Sequence, residues 1–371
     1  MRIDSFEVMD VKQNYRSIGL AAASLLGIMA LILDAKTAAS AAAGGITLCL
    51  ETVIPALFPF LVLGRLFSAS AAARWCTRLL GPWMEPVFGL PPQGAPALAL
   101  GMVSGYPVGA QIAADLYQSG RISREDGERL LAFCSNAGPA FIFGMVGGLL
   151  GNMKTAAALY AIHLLAAMLT GIVLKPRRGA RSACRIVCGP PQETVDLPGA
   201  VRHALRSMAM ICGYIILFRI LSVFLGNAWQ LWMPPAAEVI ITGLLELAGG
   251  CCRLPALESA GLRYLLASGF LAFGGICVYL QTLAVINPAG LSGRYYLFGK
   301  VIQGAIAVLL TWGGMVIFPQ LFPREASAAA VPNHQGLPEA TGLITALTLA
   351  GLAIWCIYLG KKAGKPGPLD V

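Results

Sequence analysis

Long apolar runs recur along the whole chain. They lie near residues 17–33, 46–70, 153–174, 204–226, 236–249, 264–287, 296–320 and 341–360. A run of about 20 apolar residues is long enough to cross a bilayer as a helix. The pattern therefore predicts an all-α, polytopic membrane protein.

Two further apolar segments, near residues 96–117 and 132–150, are interrupted in the middle. The interruptions are Gly101-Met-Val-Ser-Gly-Tyr-Pro-Val-Gly109 and Phe133-Cys-Ser-Asn-Ala-Gly-Pro139. Glycine and proline break helices, and each backbone group freed in hydrocarbon costs several kcal/mol unless protein, water or a ligand becomes its partner. The breaks therefore predict a substrate-binding site. Its first candidates are Ser104, Gly105, Tyr106, Pro107, Asn136 and Gly138.

A polar stretch at residues 118–131 separates these two segments. Ser123 followed by Asp126 is typical of a helix start, and Gly120 is typical of a helix end. We interpret the stretch as the turn between two apolar arms, which together make a helical hairpin that need not cross the membrane fully. Two ordinary crossings joined by a loop are the alternative.

The two halves of the chain resemble each other weakly. Residues 59–67 align without a gap on residues 213–221, which superposes Arg65 on Arg219. Further along the chain, residues 101–104 align on 243–246, which superposes Ser104 on Glu246, and residues 136–138 correspond roughly to 273–275. We predict one membrane domain with two weak structural repeats, in which substrate binds where the breaks meet near the bilayer midplane. Its parts are repeat one at about 46–174, a cytoplasmic basic loop at 175–202, repeat two at about 203–320 and a C-terminal helix at about 341–360.

Composition agrees with the membrane class. Hydrophobic residues make up 57% of the chain, charged residues 12%, and the mean hydropathy is +0.71. A soluble domain carries about 25% charged residues. The net charge of +9 indicates topology rather than nucleic-acid binding, because Lys and Arg gather in short loops that the positive-inside rule places in the cytoplasm.

Neither an enzyme nor a cofactor is expected from the motifs. The three histidines and ten cysteines lack the spacing of a metal site, so no metal is predicted. The chain also has no nucleophile elbow and no nucleotide-binding glycine loop. Transport driven by ATP on this chain is therefore excluded, and a secondary transporter or a facilitated channel fits the motifs.

Some polar residues stand inside the apolar runs. Glu246 is the strongest candidate, because burying an ionisable residue in a membrane costs a few kcal/mol and marks a functional hypothesis. We expect it to bind a proton or a cation, or to accept N–H groups from the opposite break. Gln281, Gly274 and Gly275 complete the predicted substrate site. Arg65 and Arg219 are candidate charge partners, with snorkelling to the interface as the alternative role.

Several motifs resemble those of a known family. They are Pro55-Ala-Leu-Phe-Pro-Phe60, Ser104-Gly-Tyr-Pro-Val-Gly109, Ala114-Asp-Leu-Tyr117, Phe133-Cys-Ser-Asn-Ala-Gly-Pro139, Gly243-Leu-Leu-Glu246 and Phe273-Gly-Gly275 through Gln281-Thr282. On these residues the chain resembles the nucleoside-recognition or gate-domain membrane proteins, in particular the sporulation integral membrane proteins of spore-forming Firmicutes that are proposed to move dipicolinic acid. The chain departs from that pattern at residues 248–250 and 277–279, where more polar residues would be familiar.

The resemblance implies a multi-pass transporter that moves dipicolinic acid across the outer forespore membrane during sporulation. Its implied partners are this small anionic metabolite, the lipid bilayer and possible further copies of the chain, without nucleic acid. The gate-domain family equally allows a nucleoside or other small-metabolite secondary transporter in a bacterial cell membrane. A sporulation membrane scaffold without transport is the third candidate.

Overall fold

A computed structural model describes residues 18–19, 21–22, 24–176, 196–229 and 233–323 of the chain. Every regular element in these ranges is helical, so the predicted all-α fold is confirmed. Four helices are long and apolar enough to cross a membrane, and the bent pair Ser24–Leu33 and Ala35–Glu51 would make a fifth span. The polytopic membrane class is thereby confirmed. The predicted C-terminal helix at 341–360 lies outside the described residues.

The N-terminal helices form a bent arm. In chain order they are α1 (Ser24–Leu33), α2 (Ala35–Leu48), a π-helical turn (Cys49–Val53), α3 (Ile54–Ala69) and α4 (Ala71–Trp83). The chain bends by 99° between α1 and α2. Asp34 stands at this bend and caps α2, because its carboxylate accepts the amide hydrogen of Thr37 at 3.2 Å.

The first broken segment is a helical hairpin whose tip is the predicted break. Its arms are α5 (Ala95–Val103, nine residues) and α6 (Val108–Gln118, 11 residues). Arms of this length reach about 14 and 17 Å, roughly half of the bilayer's hydrocarbon core. The chain reverses between them, since a β-carbon on Gly101 would lie 2.8 Å from the Cα of Gly109.

The polar stretch after this hairpin is not the hairpin turn that the sequence predicted. From Arg124 onward it forms α7 (Arg124–Cys134), and Ser123 caps this helix as predicted, accepting the amide hydrogen of Asp126 at 3.1 Å. The prediction of a turn was wrong because a charged residue of this stretch, Arg129, is buried. Arg129 donates to the carbonyl oxygens of Phe88 at 3.0 Å and Gly89 at 3.2 Å, so a polar sequence packs inside the protein as a helix.

The chain then continues through its second predicted break. Residues 135–138 are irregular and lead into a π-helical segment (Ala140–Val146), α8 (Gly147–Leu150) and α9 (Met153–Val173). The second half starts with α10 (Leu197–Trp229), which begins inside the segment predicted as a loop. Asp196 explains this earlier start, because its carboxylate caps α10 by accepting the amide hydrogen of Gly199 at 2.9 Å.

A second hairpin follows α10. Its arms are α11 (Pro235–Leu245) and α12 (Leu247–Arg253), and Glu246 is its tip. Here too the arms cross at glycines, since a β-carbon on Gly250 would lie 2.2 Å from the Cα of Gly243. The two glycine crossings bring the arms of each hairpin into backbone contact.

The last described helices surround a third break. α13 (Ala260–Phe273) and α14 (Gly275–Ile286) form one span of 27 residues, interrupted at Gly274 and Gly275, whose φ angles are +82° and +81°. α15 (Arg294–Ile317) packs against α13, α9 and α7.

Both halves therefore show the same order of elements, which is a hairpin, a broken helix and a long helix. Ser104 and Glu246, which the sequence alignment superposes, each follow the first arm of a hairpin. The boundaries of the two repeats stay a prediction.

Candidate functional site

The two hairpin tips and the two broken helices meet at one place. The first tip packs on the break after α7, since a β-carbon on Gly105 would lie 3.3 Å from the amide nitrogen of Gly138. The second tip packs on the break after α13, since a β-carbon on Gly275 would lie 3.2 Å from the carbonyl oxygen of Leu245. Secondary transporters built from repeats hold their substrates at such a meeting of irregular backbone.

A cavity of about 90 Å³ lies between these elements. Six of the ten predicted substrate-site residues line it, namely Ser104, Gly105, Tyr106, Gly138, Glu246 and Gln281. Apolar side chains of α2, α3 and α10 form another part of the wall, among them Leu48, Leu57, Ile211 and Ile215. The sequence thus predicted the residues of the cavity wall that lie at the breaks, together with Gln281, but not the apolar residues of α2, α3 and α10.

The other four predicted substrate-site residues lie behind the cavity wall. Pro107 precedes α6, and Gly274 and Gly275 pack against Tyr106 and the second hairpin tip. Asn136 is fully buried and donates from Nδ2 to the carbonyl oxygen of Phe133 at 2.8 Å. Its amide therefore holds the broken end of α7 and does not face the cavity.

Ser104 offers an unused polar group at the first tip. Its side chain is 2% exposed, it lines the cavity, and its Oγ has no hydrogen-bond partner within the described residues. A buried hydroxyl without a partner costs about 1–3 kcal/mol. A ligand in the cavity with an acceptor or donor near Oγ would remove this cost.

Three helical segments begin beside the cavity with no side-chain cap. They are α6 after Pro107, the π-helical segment after Pro139, and α14 after Gly274. Tyr106, Ala140 and Cys277, which lie at or near these starts, line the cavity. Free N–H groups and the positive end of the helix dipole favour negative charge at such a start.

Glu246 caps the second arm of its own hairpin. It is 4% exposed and caps its own arm, accepting the amide hydrogens of Ala248 at 2.7 Å and Gly249 at 2.5 Å. Each carboxylate oxygen thus has one N–H donor from α12. The N–H groups come from the same hairpin, so the expectation that they belong to the opposite break was wrong.

The two predicted charge partners stand outside the cavity wall. Arg65 forms an ion pair with Asp115 at 2.5 Å, which ties α3 to α6. Arg219, on α10, approaches the second hairpin, since its Nη1 lies 3.4 Å from where a β-carbon on Gly249 would be. Gln281 does line the cavity, and its Nε2 donates to the sulfur of Cys277 at 3.2 Å.

Tyr106 connects the first tip to the second broken helix. Its hydroxyl donates to the carbonyl oxygen of Leu271 at 2.9 Å, in the last turn of α13. The last carbonyls of a helix lack partners within that helix. Tyr106 thus supplies a partner for α13 and lines the cavity with the same side chain.

Lys300 is the main residue that the sequence reading missed. It is fully buried on α15, and its Nζ donates to the carbonyl oxygen of Ser135 and to Gln303 Oε1 at 2.7 Å. Asn136 Oδ1 lies 3.4 Å from the same nitrogen. The available signal was a lysine and a glutamine three residues apart in an apolar run, which marks a functional hypothesis by the same rule that singled out Glu246.

His163 is a second buried polar residue at the break after α7. It is buried on α9, and its Nε2 accepts the amide hydrogen of Ala137 at 3.0 Å. It therefore holds the break after α7 in place from α9. Among the described residues no group of three or more His, Cys, Asp or Glu side chains is arranged to hold a metal ion.

Comparison with known proteins gives two matches, one to a family model and one to a bacterial membrane protein. Residues 50–176 match the family model described as Gate: Nucleoside recognition, which spans the first hairpin, the broken helix after it and α9. The chain is 28% identical over 309 residues to the sporulation integral membrane protein YlbJ of Bacillus subtilis (strain 168). That alignment covers 72% of this chain and 76% of the relative. No solved structure matches.

Proposed function

We propose that this protein is a transporter of the sporulating cell, which moves dipicolinate across the outer forespore membrane. The observation that carries the proposal is the cavity where two hairpin tips meet two broken helices, with the unpaired hydroxyl of Ser104 in its wall. The similarity to a sporulation integral membrane protein supports the setting. The substrate is the one that the resemblance of the motifs implies.

Charge at the cavity supports an anionic substrate. Dipicolinate is a planar dianion, and three helical segments begin at the cavity without a side-chain cap. The one carboxylate in the wall, Glu246, is already held by two N–H groups of α12. Glu246 therefore competes less for the positive ends of these three segments than a carboxylate without partners would.

The cavity is too small for this substrate in the present conformation. An engineered protein cavity of about 150 Å³ holds a single benzene ring, whereas this one measures about 90 Å³. A six-membered ring with two carboxylates needs more room. Binding therefore requires the hairpin tips to move apart, which is the motion expected of a transporter that alternates its access.

A nucleoside carrier is the second candidate, because residues 50–176 match a family model described by nucleoside recognition. A nucleoside is uncharged, so it would lack the charge–dipole attraction to the uncapped helix starts and would depend on stacking and hydrogen bonds. The two candidates thus differ in the charge of the ligand that stabilises the protein.

Thermal unfolding of the purified full-length protein tests the proposal. We expect dipicolinate to raise Tm, because a ligand at 100 times its Kd stabilises the folded state by about 2.7 kcal/mol. Isophthalate keeps both carboxylates but lacks the ring nitrogen, so its effect on Tm measures how much of the stabilisation comes from the two carboxylates. A rise with uridine or adenosine and none with dipicolinate would establish the nucleoside candidate instead.

Ser104→Ala locates the binding at the cavity. One lost hydrogen bond is worth about 0.5–1.5 kcal/mol, so the variant should bind dipicolinate about 2- to 10-fold more weakly. Ser222→Ala is the matched control, since Ser222 is 1% exposed and its hydroxyl is also unpaired, but it does not line the cavity. Equal affinities of the two variants would place binding elsewhere.

Developing cells provide the second arm of the test. We expect a strain that lacks the gene to make dipicolinate and to fail to accumulate it in the spore. The wild-type gene and Ser222→Ala should restore spore dipicolinate. Normal spore dipicolinate in the deletion strain, together with a sporulation defect, would favour the scaffold without transport.

A further inference from the structure

Lys300 is a buried lysine whose partners are all uncharged. Its side chain is fully buried, and no carboxylate of the described residues lies within 4.0 Å of it. The oxygens around its Nζ come from Ser135, Asn136 and Gln303. The Nζ also lies 5.2 Å from the ring centroid of Tyr106 and 5.6 Å from that of Tyr296. This surrounding is built for a positive charge.

The amide groups are oriented so that their oxygens face Lys300. Asn136 Nδ2 donates to the carbonyl oxygen of Phe133 at 2.8 Å, which turns its Oδ1 toward the lysine. Gln303 Nε2 donates to that Oδ1 at 2.9 Å, which turns Gln303 Oε1 to Nζ. An ammonium has three N–H donors and no acceptor, and three oxygens receive them. A neutral amine would direct its lone pair at one of these oxygens.

The position in the fold is also that of a cation site. Ser135 directly follows α7, whose C-terminal end carries partial negative charge. In transporters with broken helices, unwound carbonyls and half-helix C-terminal ends coordinate the coupling cation. Gly299 allows α15 to supply a lysine there, because its missing β-carbon would lie 2.5 Å from Cβ of Ala132 on α7.

We propose that the ammonium of Lys300 is a tethered cation, which fills a monovalent-cation site formed by oxygens of Ser135, Asn136 and Gln303. The protein then needs no dissolved Na⁺ at this break. Transport of the substrate independent of a Na⁺ gradient follows as a consequence. That consequence rests on the proposed transport function, whereas occupation of the site by Lys300 does not.

Chemical replacement of the lysine tests the proposal. Lys300→Ala removes three carbons and the ammonium, so propylammonium has the size and charge of the missing part. We expect propylammonium chloride to raise the Tm of purified Lys300→Ala by about 2–4 °C more than that of the wild type. Tetramethylammonium chloride at the same ionic strength and neutral 1-propanol should shift both proteins equally.

The controls separate this effect from general salt effects. Lys154→Ala removes an exposed lysine on α9 and should respond to all additives as the wild type does. Wild-type Tm should be the same in NaCl and in tetramethylammonium chloride. Equal responses of Lys300→Ala and the wild type to propylammonium would overturn the proposal. A stabilisation of the wild type by Na⁺ that Asn136→Ala abolishes would overturn it as well.

A second pair of variants decides the question if Lys300→Ala does not fold. Gln303→Glu places a carboxylate 2.7 Å from the position of Nζ. Gln303→Glu should lower Tm less in the wild type, where Lys300 supplies a cation, than in the Lys300→Met background. Methionine keeps most of the bulk of the lysine side chain but has no charge. An equal loss in both backgrounds would show that Lys300 does not act as a cation. Uptake into vesicles with and without Na⁺ then tests the transport consequence separately.

Discussion

The two hairpin tips occupy equivalent places and differ in chemistry. Ser104 follows the arm α5, and its hydroxyl has no hydrogen-bond partner beside the cavity. Glu246 follows the arm α11, and its carboxylate accepts hydrogen bonds from two amides of α12. The helix α6 after the first tip has no side-chain cap, and α12 after the second tip has one. The first tip is therefore open to a ligand, and the second is satisfied by its own side chain.

The difference indicates that the two hairpins have different roles. A self-capped tip is held in one conformation, because moving it would leave a buried carboxylate and two buried amides without partners. The uncapped tip loses less when it moves. We therefore expect the first hairpin to supply most of the binding contacts and the second hairpin to supply rigidity.

The glycine crossing of the first hairpin carries the largest predicted effect. A β-carbon on Gly101 would lie 1.7 Å from the carbonyl oxygen of Cys134, a backbone atom that cannot turn aside. Gly101→Ala should therefore cost about 3 kcal/mol or more by overpacking and lower the yield of folded protein. Gly144→Ala is the control, since a β-carbon there meets no atom within 4 Å. Similar yields and Tm values for both variants would contradict this packing.

Glu246→Ala should have the next largest effect, which is a loss of stability of the folded protein. The change removes the cap of α12 and leaves the amides of Ala248 and Gly249 buried without partners, which costs about 1–3 kcal/mol. We expect a lower Tm for purified Glu246→Ala and a smaller loss for Glu246→Gln, which keeps one acceptor oxygen. Glu258→Ala, at an exposed carboxylate before α13, should leave Tm unchanged. A Tm of Glu246→Ala equal to that of the wild type would refute the bracing role of the second tip.

The sequence predicted the breaks well because their causes are local. Glycine and proline act on their own backbone, so Ser104, Gly105 and Gly138 could be assigned to the cavity without knowledge of the fold. The hairpin geometry could not be predicted in the same way. It depends on contact between Gly101 and Gly109 across the tip, and hydropathy treats glycine as neither polar nor apolar.

Lys300 shows the opposite case. One lysine in a 24-residue helix changes the mean hydropathy little, and its hydrogen-bond partner Ser135 lies 165 residues away in the chain. Glu246 stood out because its run is short, and even there the partners were misassigned. A buried charge can stand out in the sequence, as Glu246 did, or be overlooked, as Lys300 was, and in both cases its partners depend on how the helices pack.

Tyr106→Phe has the smallest predicted effect and tests the link between the two halves. The Tyr106 hydroxyl is the contact through which the first tip reaches α13, donating to the carbonyl of Leu271 at 2.9 Å. Its loss should cost about 0.5–1.5 kcal/mol while the ring keeps its place over Lys300. Tyr295→Phe, at an exposed tyrosine of α15, is the control and should leave Tm unchanged.

The dipicolinate response of Tyr106→Phe then distinguishes two roles of the contact. If the hydroxyl only stabilises the closed conformation, its removal lowers Tm without ligand, and tip separation becomes easier because one bond fewer must break. Dipicolinate should then bind at least as tightly as to the wild type. Weaker binding would instead mean that the hydroxyl contacts the substrate. In that case the Tyr106 hydroxyl leaves the carbonyl oxygen of Leu271 when the substrate binds.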